Sequence, residues 1–180
     1  VVGGLITLVI MLGVVLLLRG GDEEVRSATD CPSDCTLRQE VHWHADFALY
    51  LRAERFDFND EQFLSKDAGL PLSKNVHIHE PRDDVVHVHR EQTTWHEFFV
   101  SLGFELTDTC IRAPGTELLC SSTTERLTFY VNGVQVDSIL FQDITDLDRV
   151  LISYGDETES ELIAQMATVT DEACIVSQLC

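Results

Sequence analysis

The chain is short of positive charge. Its 12 lysines and arginines face 31 aspartates and glutamates, a formal net of −19, and only Lys66 and Lys74 are lysines. Binding nucleic acid phosphates or anionic headgroups needs clustered basic side chains, so nucleic acid is excluded as a partner. Self-repulsion on this scale is tolerated best where salt screens it, which fits a saline habitat; an acidic surface that attracts cations fits as well. Methionine is scarce too, with only Met11 and Met166. The chain has no phosphate-cradling glycine loop and no recognisable Ser-His-Asp or Cys-His arrangement. It also lacks a repeat of roughly 20 to 50 residues, which excludes solenoids and propellers.

What is present begins with VVGGLITLVIMLGVVLLL, eighteen residues with no charge and Thr7 as the one polar side chain. As a helix this stretch would be about 27 Å long, close to one bilayer span. It opens without Met or a basic segment, and Arg19-Gly20-Gly21-Asp22 is not a small-residue cleavage site. The expectation is therefore a transmembrane anchor over 1–19 rather than a cleaved signal, in a chain that is processed or truncated. Residues 20–35, polar and rich in Gly and Asp, read as a linker. A folded domain is expected over 36–180.

Six cysteines, Cys31, Cys35, Cys110, Cys120, Cys174 and Cys180, all follow the expected span. An even number in a small domain behind a membrane segment points to disulfides and an extracytoplasmic location. Cys110 and Cys120 flank IRAPGTELL, whose Pro114-Gly115 marks a turn, so a bridge closing this loop is expected, worth somewhat under ~3 kcal/mol. The other four cysteines leave three pairings open. Cys31 and Cys35 are too widely spaced for a thioredoxin-like redox pair.

Elements follow from periodicity and turn chemistry. VHWHADFALYLRAERFDF reads as a strand, a turn at 52–54 and a short return strand. DEQFLSKDAGLPLSK is a helical turn or loop, and NVHIHEPRDDVVHVHR a hairpin with Asp83 and Asp84 in its turn. Thr94 with Glu97 opens a helix that Gly103 stops. RLTFYVNGVQV is a hairpin turning at Asn132-Gly133, and RVLISYG is a central strand. Thr158 with Glu161 starts a second helix, whose acidic opening at 156–161 reads as solvated, and DEACIVSQLC is a short helical tail. No calcium loop of about 12 residues is present. Strands and helices without regular alternation make the class α+β: a mixed or antiparallel sheet of hairpins with two or three short helices, stapled by disulfides.

All seven histidines lie between residues 42 and 96, and six form three His-x-His pairs: His42 and His44, His77 and His79, His87 and His89. In a strand, residues i and i+2 share a face, so each pair projects both imidazoles the same way. The opposite faces are apolar: Val41, Trp43, Ala45, Phe47, Leu49 and Leu51 in one segment, Val76 and Ile78 in the second, Val86 and Val88 in the third. Register decides whether the imidazoles meet. An even hairpin loop mixes His with Val on each face, whereas an odd one, such as Arg82-Asp83-Asp84, sets His79 opposite His87 and His77 opposite His89. Burying imidazoles among aliphatics without partners costs about 1 to 3 kcal/mol each, which favours the odd register. Four imidazoles then converge, and six if the 41–51 strand is the neighbour.

Converging neutral imidazoles suit borderline divalent metals, and without metal such a cluster resists protonation through mutual repulsion. Thiolates tied up in disulfides and so few methionines disfavour Cu(I). Zn(II), Cu(II) or Ni(II) fit an all-nitrogen site, with Asp46 or Glu80 as an optional carboxylate ligand or general base. His96 reads as a surface or capping residue, with a ligand role as the alternative. A single His-x-His would be no more than a polar strand face; three within 48 residues favour metal.

HWHAD resembles the His-x-His-x-Asp core of the metallo-β-lactamases, although Phe47 stands where that family has a further His. HIHEPRDD resembles a cupin motif, with Glu80 following His79 directly where cupins have a gap. Neither likeness brings its family's activity with it. Through HWHADFALYL, HIHE, HVH, TWHEFFVSLG, YVNG and DLDRVLISYGDE, across most of 41–175, the chain resembles uncharacterised His-rich, membrane-anchored small proteins of archaea and small-genome bacteria. That resemblance implies an extracytoplasmic domain and supplies no activity. The residues thus point to a membrane-anchored domain binding a divalent transition metal for acquisition, buffering or delivery. The alternatives are a metal-dependent hydrolase or redox enzyme with an open coordination position, and a pilin-like surface filament subunit; a homo-oligomer is compatible with each.

Overall fold

In the computed structural model, which describes residues 38–65 and 72–180, the alternating 41–51 segment is strand β1 (Glu40–Leu51). The expected anchor, the linker with Cys31 and Cys35, and the start of the domain at 36 lie outside the described residues. Among the described residues no helix is long and apolar enough to cross a membrane. After β1 the chain turns through Arg52 and Ala53, both at positive φ, into β2 (Glu54–Arg55). The His-rich hairpin is β3 (Val76–His79) and β4 (Arg82–Arg90). Helix α1 (Trp95–Ser101) follows, and the Thr94 hydroxyl caps it by accepting from Glu97 N. Beyond it are β5 (Glu105–Leu106), β6 (Cys110–Arg112), β7 (Leu119–Cys120), β8 (Arg126–Val131), β9 (Val134–Val136) and β10 (Arg149–Gly155). Two helices close the chain: α2 (Glu159–Met166), with a complete Thr158/Glu161 capping box, and α3 (Glu172–Val176).

Seven strands make one mixed sheet in the order β3-β4-β1-β10-β8-β9, with β2 added to β1; β5, β6 and β7 make a separate small sheet. Only the β1–β10 pair runs parallel. The continuous apolar run of β10 is explained by its place between β1 and β8, buried on both faces. The apolar face of β1, β3 and β4 enters the main core as expected: Ala45, Phe47, Leu49, Val76, Ile78, Val86 and Val88 pack with Trp95, Phe98 and Phe99 of α1 and with Ile111 and Leu119 of the small sheet. The other face of β1 buries Ala48 and Tyr50 against Leu151 and Val169, with Met166 beside them. The α+β class stands. Among the described residues two disulfides are formed, Cys110–Cys120 and Cys174–Cys180.

Four local readings need correction. The His hairpin turns at Glu80-Pro81 instead of over Arg82-Asp83-Asp84. His77 therefore faces His87 and Val76 faces Val88, so parity is kept but the register slides by two; a further shift sets His79 beside Arg82. A shorter loop costs less closure entropy and pairs more backbone. Asp83 and Asp84 are thus strand residues, and the Asp84 carboxylate takes an ion pair from Arg55 at 3.1 Å. The Cys110–Cys120 segment is no plain loop, since the two cysteines face each other as a cross-strand pair. Glu157 is not solvated: it is 8% exposed, and its Oε1 accepts from Ala53 N at 2.8 Å, which supports the left-handed turn after β1.

Candidate metal centre

The three His-x-His segments lie on adjacent strands, β3, β4 and β1, and on one face. His87 stands at the middle, with His44 opposite it on β1 and His77 opposite it on β3. Ring centroids lie 4.5 Å apart for His44 and His87, 4.2 Å for His79 and His87, and 5.8 Å for His77 and His87. His42 is 4.8 Å from His44 and 5.2 Å from His89, and His77 is 4.9 Å from His89. All six imidazoles therefore form one connected patch. Within it, His42, His44 and His87 each bring one ring nitrogen within 4.8 Å of the others, so this triad could hold a metal ion. His44 and His87 are buried and His42 is exposed, which gives the triad a floor of two imidazoles and a mouth open to solvent.

Burial of this face is where the structure departs from the solvated histidine face expected of the strands. The C-terminal segment folds over the end of the sheet, and the Ser177 hydroxyl sits 2.7 Å from His44 Nδ1. Ser177 in turn donates to Asp146 Oδ1 at 3.0 Å, and that oxygen also accepts from His44 N at 2.9 Å. A hydroxyl has one proton, so Ser177 accepts from His44, which places the imidazole proton on Nδ1. His44 Nε2 is then a bare lone pair, buried and without a partner. His79 Nδ1 lies 2.8 Å from the Glu80 carbonyl, which can only accept, so that nitrogen carries a proton and Nε2 is the ring atom turned away from the turn backbone. His77 Nδ1 is a second buried ring nitrogen without a partner.

These surroundings favour the neutral form of four of the rings. Burial, reinforced by the His42 ring, lowers His44 to about 4. Burial with His89 and His79 nearby lowers His77 to about 4, and burial with His79 and His44 nearby takes His87 to about 2. His89 is lowered as well, by burial and then by His42. Desolvation is the leading cause in each, with mutual repulsion second. Neutral imidazoles with unpartnered lone pairs are what Zn(II), Cu(II) and Ni(II) bind.

The other candidates sit elsewhere. Asp46, 1% exposed, faces the C-terminal segment: it accepts from Thr170 Oγ1 at 2.6 Å, Glu172 N at 3.0 Å and Ala173 N at 3.1 Å. Burial raises its carboxyl, and those donors offset part of the rise. Glu80 is exposed in the hairpin turn. His96 belongs to α1, whose neighbours Trp95, Phe98 and Phe99 enter the main core, and its ring lies 6.4 Å from Phe141, apart from the six. Ser177 and Asp146 were not foreseen. Neither carries a local signal, because their roles come from contacts spanning 133 and 102 residues with His44. Comparison with protein-family models, curated proteins and solved structures finds no match to this chain, so its chemistry is read from the site itself.

Proposed function

We propose that this chain is a membrane-anchored, extracytoplasmic protein that binds a divalent transition metal, Cu(II), Zn(II) or Ni(II), at His42, His44 and His87. His77, His79 and His89 complete the imidazole patch, and the role is acquisition, buffering or delivery of the ion. The observation that carries this reading is the buried, unpartnered Nε2 of His44, a residue whose ring groups with those of His42 and His87 closely enough to hold an ion. A buried polar atom without a partner costs about 1 to 3 kcal/mol, a cost that a metal bond would remove. The disulfides Cys110–Cys120 and Cys174–Cys180 support an oxidising compartment. For a hydrolytic or redox enzyme the triad would leave coordination positions open, but Asp46, the nearest candidate base in sequence, is engaged by the three donors of the C-terminal segment. Binding is thus favoured over catalysis. The test is elemental analysis of the full chain after loading with Zn(II), Cu(II) or Ni(II) and desalting, beside a His44→Ala/His87→Ala variant. One ion or more per chain, lost in the variant, is expected; no ion in the parent, or equal occupancy in both, would overturn the reading.

A further inference from the structure

We infer that the C-terminal segment is part of the metal site, with Ser177 and Asp146 acting as positioning residues that hold His44 in the tautomer able to bind metal through Nε2. The inference rests on the metal-binding reading above and adds residues that no His-x-His pattern contains.

The geometry is a three-membered relay. Asp146 Oδ1 accepts a hydrogen bond from the Ser177 hydroxyl at 3.0 Å, and Ser177 Oγ accepts one from His44 Nδ1 at 2.7 Å. Asp146 also binds His44 through the backbone, and Leu147 N donates to the His44 carbonyl at 2.7 Å, so the 146–147 segment grips this residue on both sides. The opposite tautomer would put a proton on Nε2, where no acceptor is present, and would leave Nδ1 facing an oxygen whose own proton is committed to Asp146. Metal-bound imidazoles are generally held this way, with the second ring nitrogen donating to an oxygen that fixes ring orientation and strengthens the ligand.

Three ties bring Ser177 to this place. Asp46 on β1 binds the backbone of Glu172 and Ala173 at the start of α3, and Arg82 on β4 pairs with Glu172 at 2.6 Å. The Cys174–Cys180 disulfide closes a short loop around Ser177 itself. Freed from that loop, the chain after α3 would keep only its hydroxyl contact and the backbone bonds of Ser177, Gln178 and Leu179 to the helix.

The test uses the metal-free full chain and Zn(II) as probe. Long-range nitrogen–proton correlation spectra at neutral pH should show His44 protonated at Nδ1. Ser177→Ala should populate both tautomers and weaken Zn(II) binding roughly 10- to 100-fold, and Ser177→Thr, which keeps the hydroxyl, should restore both. A Cys174→Ser/Cys180→Ser variant should shift the tautomer in the same direction as Ser177→Ala. An Nε2-protonated His44 in the parent, Ser177→Ala affinity within about twofold of the parent, or an unchanged tautomer in the disulfide variant would each overturn the inference. A parent chain that binds no Zn(II) would instead remove the metal-binding reading, while the tautomer measurement would still decide the relay.

Discussion

His44 and His87 stand opposite each other on antiparallel neighbours, with ring centroids 4.5 Å apart and ring planes at 90°. Neither has room to move independently, since both are nearly fully buried. A pair of neutral imidazoles locked at this distance is preorganised, so little side-chain entropy remains to be lost when an ion arrives.

Removing one of the pair should therefore cost affinity more than stability. His87→Ala is expected to lower Zn(II) affinity by on the order of 100-fold or more, because a triad becomes a pair. The metal-free chain should lose little stability below pH 6, where a neutral buried His87 is itself unfavourable. Competition against a chromophoric chelator gives the first quantity and urea denaturation the second. An affinity unchanged by the substitution would place the ion elsewhere.

The metal-free chain should become less stable as pH falls. His44, His77 and His87 have folded values well below their ordinary 6.5. Between pH 6.5 and about 4 the unfolded chain binds protons that the folded chain refuses, so stability rises with pH across this window and levels off above it. Buried His44 and His87 should each contribute about 1 kcal/mol per pH unit within the window. Denaturation midpoints at pH 7.5, 6.5 and 5.5 measure the slope, and His44→Gln/His87→Gln should flatten it. Zn(II) binding to the folded chain should hold over most of this range and weaken only as pH falls toward about 4, where His44 and His77 begin to take protons.

The strands, their apolar faces and the convergence of the six histidines were legible in the sequence, because a period of two with Trp43, Ile78 and Val88 between the paired imidazoles leaves one face of each strand to bury. The hairpin register was legible only in parity. The expected odd register and the observed one, two residues away, both bury Val76, Ile78, Val86 and Val88, and the choice fell to loop length at Glu80-Pro81. Burial of His44 and the use of Asp46 were not legible. Both depend on where residues 170–177 land, and a polar tail with a two-cysteine loop does not announce which face it will cover. The small sheet at 105–120 was missed because its strands are only two or three residues long.

The Cys110–Cys120 disulfide should matter to the fold and not to the ion. It joins β6 to β7 in the small sheet, whose Ile111 and Leu119 enter the core on the side of α1, opposite the imidazole face. Replacing both cysteines with serine should destabilise the chain by about 2 to 3 kcal/mol, the chain-entropy value for a loop of this size. Zn(II) affinity should stay within about twofold of the parent. A large loss of affinity with the fold retained would mean that the two faces of the sheet are coupled in a way the contacts do not provide.

Asp46 should be the residue whose loss moves both properties together. Its carboxylate serves the Thr170 hydroxyl and the backbone N–H groups of Glu172 and Ala173 from a buried position on β1. Asp46→Ala strands those donors beneath the C-terminal segment and should cost about 3 kcal/mol. Asp46→Asn keeps one accepting oxygen and should cost about a third as much. If Asp46 were a ligand, Asn and Ala would weaken Zn(II) binding alike at saturating stability. As a tether for the segment that carries Ser177, Asp46→Asn should bind nearly as well as the parent, and Asp46→Ala should lose affinity in step with exposure of the segment. Limited proteolysis near 170–177 run beside the Zn(II) titration separates the two roles, and an Asn variant that binds poorly with its C-terminal segment still protected would assign Asp46 to the ion.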